Sequence, residues 1–268
     1  MSEQTTAWDD LSTQKWIEIM HSWKNFWIDY VINPVLYPKI FELLKDWRKT
    51  IVDFWCGLNT LWMQLIYWIP WQIEWLKNIK NIEQLRRNIV EFTWFEANED
   101  FVEQALKDAK DIDAEELKMV WKELIKNNEI PQENETVDMC ISRNFIVHLN
   151  YEDFDYHLSE AHRILTKWGN YIVATLNPDY EQEKYKTLTK NTLVDGDRYN
   201  HYHWRNGELW TWVQYYKTKE TLEKYMAKYF IIASYELCMP TNDNGIDSHP
   251  LYYNKNCPMG IIYTLQKK

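Results

Sequence analysis

Glycine is scarce in this chain. Its 268 residues hold 6 glycines against 16 tryptophans, where an average usage of about 7 % would supply roughly 19 glycines. Tight strand-to-helix turns lean on glycine, so the deficit argues against a fold rich in them. Cysteine is sparse as well: Cys56, Cys140, Cys238 and Cys257 are scattered, with no CxxC and no Cys/His ligand spacing. That excludes a disulfide framework or a zinc site and points to reduced thiols in a cytoplasmic protein, with no metal expected. Positive charge is in deficit, 30 Lys and Arg against 40 Asp and Glu, for a net charge of −10. An acidic surface repels phosphate backbones and anionic membranes, so no nucleic-acid or membrane partner is expected. The densest basic run, Lys77, Lys80, Arg86 and Arg87, reads as a solvated helix face. The N-terminus lacks the apolar stretch after a basic start that marks a signal peptide. Long apolar runs are missing too. The 20 uncharged positions from Phe54 to Ile73 approach a bilayer span, but they include Asn59, Gln64, Pro70 and Gln72, and Trp55, Gly57, Trp62, Tyr67, Trp68 and Trp71. A spanning helix is rich in Leu, Ile and Val, with aromatics at its ends.

What is present is an alternation of apolar runs. Residues 1–49 carry helical spacing, as in Trp16, Ile17, Ile19 and Met20 or the stretch Val35 to Leu44. Strands are expected at Thr50–Phe54, Val90–Phe95, Leu117–Leu124, Thr136–Ile141 and Tyr171–Leu176. Helices are expected from about Thr60 to Arg87, over Glu99–Lys110 and over Phe154–Leu165. That order predicts a parallel sheet covered by helices on both faces. After Pro178 the pattern changes. Dense aromatics flank Asn206-Gly207, a hairpin signal, then come a helix at Lys219–Lys228 and strands at Tyr229–Leu237 and Gly260–Leu265. No linker composition or repeat divides the chain. The division expected is a helical cap over 1–49 and one domain over 50–268, with an aromatic hairpin inserted at about 179–218.

The chemistry concentrates at Ile51-Val-Asp-Phe-Trp-Cys-Gly-Leu-Asn-Thr60. A buried strand meets an acidic residue, a turn and a helix N-terminus, an arrangement that offers backbone N–H groups to a nucleotide-like ligand. The run resembles motif I of the class I S-adenosylmethionine (SAM) dependent methyltransferases, Asp/Glu-x-Gly-x-Gly-x-Gly. Asp53 and Gly57 match; Trp55 stands at the first glycine and Asn59 at the third. Three further segments follow in the family's order. The second strand ends in Glu96, matching the acidic residue that binds the ribose hydroxyls, and a carboxylate suits a vicinal diol because it accepts two hydrogen bonds. Glu96 comes 43 residues after Asp53 where about twenty is usual, so Ile66 to Asn88 reads as an insertion. Val137 to Leu149 resembles the fourth strand and its His-containing turn. Leu158 to Thr175 resembles the helix, Lys-Pro-Gly-Gly turn and fifth strand, with Trp168 at a glycine. The resemblance covers roughly 45–268. It implies a Rossmann-like α/β fold, a seven-stranded, mostly parallel sheet with the last strand antiparallel, and methyl transfer from SAM to a small-molecule O, N or C acceptor.

The glycine deficit then takes on a different meaning. Trp55 and Trp168 sit at family glycines, and Trp94 sits where the second strand often carries one. UGA is read as tryptophan in some genetic codes and as glycine in others, so decoding with the wrong table would produce this exchange. UGG codons at 55, 94 and 168 in the source gene would eliminate the idea; an authentic Trp-rich chain is the alternative.

On the resemblance, Asp53, Trp55, Gly57 and Asn59 belong to the cofactor site, Asp53 at the ammonium and position 55 at the methionine end, and Glu96 binds the ribose. Ala97 and Asn127 or Asn128 lie near the adenine. Arg143, Asn144 and His148 follow the fourth strand, at the methyl-transfer site, and His148 is the candidate general base because its ordinary pKa lies near neutrality. Tyr199, His201, Tyr202, His203, Tyr215 and Tyr216 crowd the inserted hairpin and are candidates for an acceptor pocket that excludes water; packing on the sheet is the other reading. His249 is a weaker candidate. A non-catalytic binding protein of the same fold is the main rival. A nicotinamide-dependent oxidoreductase is weaker, because its glycine pattern would place Thr60 at a required glycine. Neither the acceptor nor the oligomeric state is legible.

Overall fold

The structure is a computed structural model that describes residues 31–44, 49–54, 88–96, 103, 119–123, 130–179, 192–195, 198–205, 208–215, 217–239 and 258–268. Helix α1 spans Asn33–Leu44. Strands β1 (Lys49–Phe54), β2 (Ile89–Glu96), β3 (Met119–Glu123) and β4 (Val137–Arg143) follow, then a 3-10 turn at Ile146–His148. Helix α2 (Tyr151–Ile164) leads into β5 (Leu165–Leu176). Strands β6 (Thr192–Asp195), β7 (Arg198–Arg205) and β8 (Glu208–Tyr215) precede helix α3 (Lys219–Tyr229), β9 (Phe230–Cys238) and β10 (Gly260–Lys267). The expected helix over 60–87 lies outside the described residues, as do that over 99–110 apart from Glu103, which is helical, the helical spacing before residue 31 and the basic run at 77–87.

The main sheet has seven strands in the order β3-β2-β1-β4-β5-β10-β9. Strands β3 to β5 pair in parallel. Strand β10 runs antiparallel to both β5 and β9, so only the last strand is reversed, as the resemblance implies. Chain direction changes sides at β1, with β2 on one flank and β4 on the other. Such a switch point opens a crevice at the carboxyl ends of the strands.

The helices cap well. Asn150 Oδ1 accepts from the Asp153 N–H at 2.8 Å, which starts α2 three residues ahead of the expected Phe154, and Glu152 and Asp153 favour the positive end of the helix. Helix α2 turns Phe154, Leu158, Ala161 and Ile164 onto Val52, Phe54, Val173 and Ile261 of the sheet, and Leu222 and Met226 of α3 join the same core. The opposite face receives α1. Lys39 of α1 donates to Ser234 Oγ and Glu236 Oε1 of β9. Gly260 leaves room for Ile32, just ahead of α1, because a Cβ there would lie 2.5 Å from Ile32 Cδ1.

Trp168 and Gly169 form the turn at which the β4–β5 register slips. A Cβ on Gly169 would meet the Thr166 carbonyl oxygen at 2.9 Å. Trp168 has φ +68° and its indole is 59 % exposed. That dihedral lies in the left-handed region, which glycine enters freely and a bulky residue does not. The backbone thus has the form of a Gly-Gly turn. Trp168→Gly is expected to stabilise the fold by about 1 kcal/mol, a rise of roughly 2–4 °C in Tm. Gly169→Ala should lower Tm. A thermal melt in which Trp168→Gly is neutral or destabilising would show that the indole is accommodated. Trp94 is different: it lies in a regular strand, 1 % exposed, edge-on to Phe92, with an indole N–H that has no hydrogen-bond partner. Its backbone makes no demand for glycine.

Strands β6, β7 and β8 form a separate antiparallel sheet. Arg205 pairs with Glu208, the two-residue connection expected of Asn206-Gly207, while β6 has no counterpart among the expected strands. No helix among the described residues is long and apolar enough to cross a membrane. The run from 55 to 73 lies outside them.

Candidate functional site

The carboxyl ends of β1, β2 and β4 bring three charged side chains into the protein. Asp53 is the penultimate residue of β1, held between Trp94 of β2 and Ile141 of β4. It is 1 % exposed. Glu96 closes β2 and is 1 % exposed as well. Arg143 closes β4, and its Nη2 lies 3.9 Å from Asp53 Oδ2 with both side chains buried. Ionised groups enter an interior only when paired or hydrogen-bonded, so three of them at one end of a parallel sheet mark it as a place for a polar ligand.

Asn144 follows Arg143 in the left-handed region, φ 54°, a conformation that asparagine tolerates better than most residues. Its N–H donates to the Ala174 carbonyl at 2.8 Å, which ties the turn to β5. The Asn144 Oδ1 is buried and has no partner. A buried acceptor of this kind is costly unless a ligand donor meets it. The 3-10 turn then carries His148, whose N–H donates to the Phe145 carbonyl at 2.9 Å.

Lys217 holds this turn in place. Its buried ammonium donates to the Ile146 carbonyl at 3.2 Å and to the Leu149 carbonyl, and it lies 5.2–5.6 Å from the ring centres of Tyr151, Phe154 and Tyr215. Aromatic faces and carbonyl oxygens together replace water around the cation. Nothing in the sequence singled out Lys217; a lone lysine before the Thr218 helix cap carries no motif. A small crevice beside it is lined by Ile146, Val147, Thr175, Pro178, Tyr215 and Leu222. Beneath the site, His157 of α2 shares a 2.6 Å hydrogen bond with the Tyr171 hydroxyl and packs edge-on against Phe54 and Phe145. Burial lowers its pKa to about 3 and pushes the Tyr171 phenol up. Both stay neutral at physiological pH and serve as packing under the strand ends.

Of the sequence-derived candidates, Asp53, Glu96, Arg143, Asn144 and His148 lie at the carboxyl end of the sheet. Tyr199, His201, Tyr202 and His203 lie on β7, opposite Gln214, Trp212, Thr211 and Trp210 of β8. Tyr215 closes β8 and reaches Lys217. Trp55, Gly57, Asn59, Ala97, Asn127, Asn128, Tyr216 and His249 lie outside the described residues. Cys140 and Cys238 are free buried thiols, the latter with its pKa pushed up to about 12, mainly by burial. Among the described residues no group of three His, Cys, Asp or Glu could hold a metal ion.

The sequence matches no family model and no curated protein. The fold is shared with solved structures. A SAM-dependent methyltransferase from Methanosarcina mazei is 13 % identical, with a TM-score of 0.62 over 87 % of this chain and 98 % of its own. One from Clostridium acetobutylicum is 14 % identical, with a TM-score of 0.57 over 95 % of this chain and 98 % of its own. One from Mesorhizobium loti is 14 % identical, with a TM-score of 0.54 over 86 % and 97 %. The chain therefore has the Rossmann-like class I methyltransferase fold, as its motif order implied.

Proposed function

We propose that the chain is a SAM-dependent methyltransferase acting in the cytoplasm on a small-molecule O, N or C acceptor. The observation that carries this reading is the pair of buried carboxylates, Asp53 and Glu96, at the ends of adjacent strands on the switch-point side of this sheet. They fit the cofactor: Glu96 suits the two ribose hydroxyls and Asp53 the ammonium of the methionine end, with Asn144 Oδ1 as a further buried acceptor. The bound cofactor would supply an electrophilic methyl on a positively charged sulfur. The protein's part is then chiefly to orient, because in-line displacement gains most from positioning. The Lys217-held turn fixes where His148 stands. When the acceptor nucleophile carries a proton, His148 takes it; otherwise no base is needed. The insertion at about 179–218 covers the acceptor and excludes water, and residues 1–49 form a cap on the domain.

Calorimetric titration with S-adenosylhomocysteine tests this reading in the chain as written and in a Trp55→Gly variant. Binding is expected, and Glu96→Gln should weaken it at least tenfold by removing one charged acceptor from the ribose diol, an effect of about 1.4 kcal/mol. Glu96→Gln binding equally well, or neither chain binding the thioether, would sink it.

A further inference from the structure

We infer that Lys217 is a positioning residue of the methyl-transfer site. Its charge, and not its bulk, sets the turn that carries His148, so the acceptor side is lost without it while the cofactor side keeps its affinity. This rests on the reading of the site as a SAM site with His148 on the acceptor side, and it names the group on which that side depends.

The turn has little of its own to hold it. It is a single 3-10 turn, Ile146–His148, and Phe145 at its N-cap has no side-chain acceptor to offer. Hydrogen bonds of this kind have poorer geometry than those of an α-helix. Here the His148 and Leu149 N–H groups donate to the Phe145 and Ile146 carbonyls at 2.9 and 3.3 Å. The Lys217 ammonium reinforces them, because it donates to the carbonyls of Ile146 and Leu149, which flank His148 in the chain. Lys217 is only 3 % exposed. Burying an ammonium is costly unless its donors are met, so a side chain needed only to fill this volume would be apolar. The rings around it, Tyr151 and Phe154 at the start of α2 and Tyr215 at the end of β8, favour a cation at their faces. Methionine has a similar unbranched reach and packs against rings, but it has no proton to give the two carbonyls. The seat is thus built from the turn, α2 and β8, whereas Asp53 and Glu96 stand at the ends of β1 and β2.

The test pairs calorimetry against S-adenosylhomocysteine with NMR of the full chain carrying carbon-13 histidine, the His148 signal being assigned by its loss in His148→Gln. Lys217→Met should bind S-adenosylhomocysteine within about twofold of the unsubstituted protein. It should shift or broaden the His148 imidazole signal and leave that of His162, which packs on Tyr229 and Phe230, in place. Lys217→Arg keeps a charged donor and should bring the His148 signal back towards its original position. Ethylammonium chloride should do the same for Lys217→Ala, where sodium chloride at equal strength does not. The inference is overturned by a His148 signal that Lys217→Met leaves unmoved, by one that neither arginine nor ethylammonium restores, or by one that sodium chloride restores equally well. Loss of S-adenosylhomocysteine binding in Lys217→Met also overturns it. If the uncharged variants do not fold, the unsubstituted protein decides: the Lys217 ammonium protons should exchange with water at least roughly tenfold more slowly than those of exposed Lys228, and equal rates overturn the inference. No binding of S-adenosylhomocysteine by the unsubstituted protein or by Trp55→Gly overturns the SAM reading instead, whatever the His148 signal does.

Discussion

Glycine in place of Trp55 is expected to tighten binding of S-adenosylhomocysteine by ten- to a hundredfold. Position 55 lies outside the described residues, and the expectation rests on its place in the motif. It is two residues beyond Asp53, which stands buried at the end of β1, and two residues span no more than about 7 Å. The motif places backbone there, against which the methionine end of a cofactor lies. On the resemblance, an indole at this position would put a large, rigid group into that volume. Forcing a ligand past such a group costs about 1–3 kcal/mol in strain and displaced packing, which is roughly one to two decades of affinity. Parallel titrations of the two proteins give the answer. Micromolar affinity with Trp55 in place, unchanged by glycine, would mean that the ligand does not pass there and that the tryptophan belongs.

Acid should destabilise the protein earlier than its carboxylates alone would. His157 is buried against Phe54, Phe145 and Tyr171, and its pKa is lowered to about 3 by burial, against about 6.5 in an unfolded chain. Between those values the unfolded chain binds the proton and the folded one does not. The stabilising contribution is therefore complete above pH 6.5, is lost as pH falls from 6.5 towards 3, and is gone below that. The slope is about 1.4 kcal/mol per pH unit. At pH 5 this amounts to roughly 2 kcal/mol, or about 4–8 °C in Tm. His162, partly exposed and lowered chiefly by burial, acts in the same direction. Comparing Tm between pH 7 and 5 for the wild type and His157→Gln isolates the effect. The variant should start lower but fall less, and parallel profiles would show that His157 does not carry the acid sensitivity.

Much of the fold was legible because parallel strands buried on both faces are written as uninterrupted apolar runs. Ile51-Val52, Met139 to Ile141 and Tyr171 to Ala174 are of this kind, Phe92 to Phe95 is broken only by Thr93, and all are interior. Their acidic ends were legible too, which is how Asp53 and Glu96 were placed. The short β6 was not, since four residues of mixed polarity carry no period. The first half of β5 was not either, because Thr166, Lys167 and Trp168 look like a turn and are exposed or half-buried. Arg143 was noticed only as a residue after a strand. That it meets Asp53 depends on a register between β1 and β4 that no local pattern encodes. Lys217 is the extreme case: its hydrogen-bond partners come from 71 and 68 residues away, and a lysine in sequence announces solvent. Trp168 was legible for the opposite reason, since a turn that wants glycine shows itself when glycine is absent.

The segment joining β5 to α3 stands on two fixed feet. Where it leaves the sheet, the Asn177 side-chain amide donates to the Pro258 carbonyl and the Asn177 N–H to the Met259 carbonyl. Where it returns, Lys217 is moored to the carbonyls of the turn that ends in His148. Both feet are tied to the main sheet or to the turn at its end, so a displacement of Lys217 is passed to the turn that ends in His148. The end of β8 and the position of His148 are thus in the same mechanical circuit, because the Tyr215 ring and the carbonyls of the turn surround one ammonium.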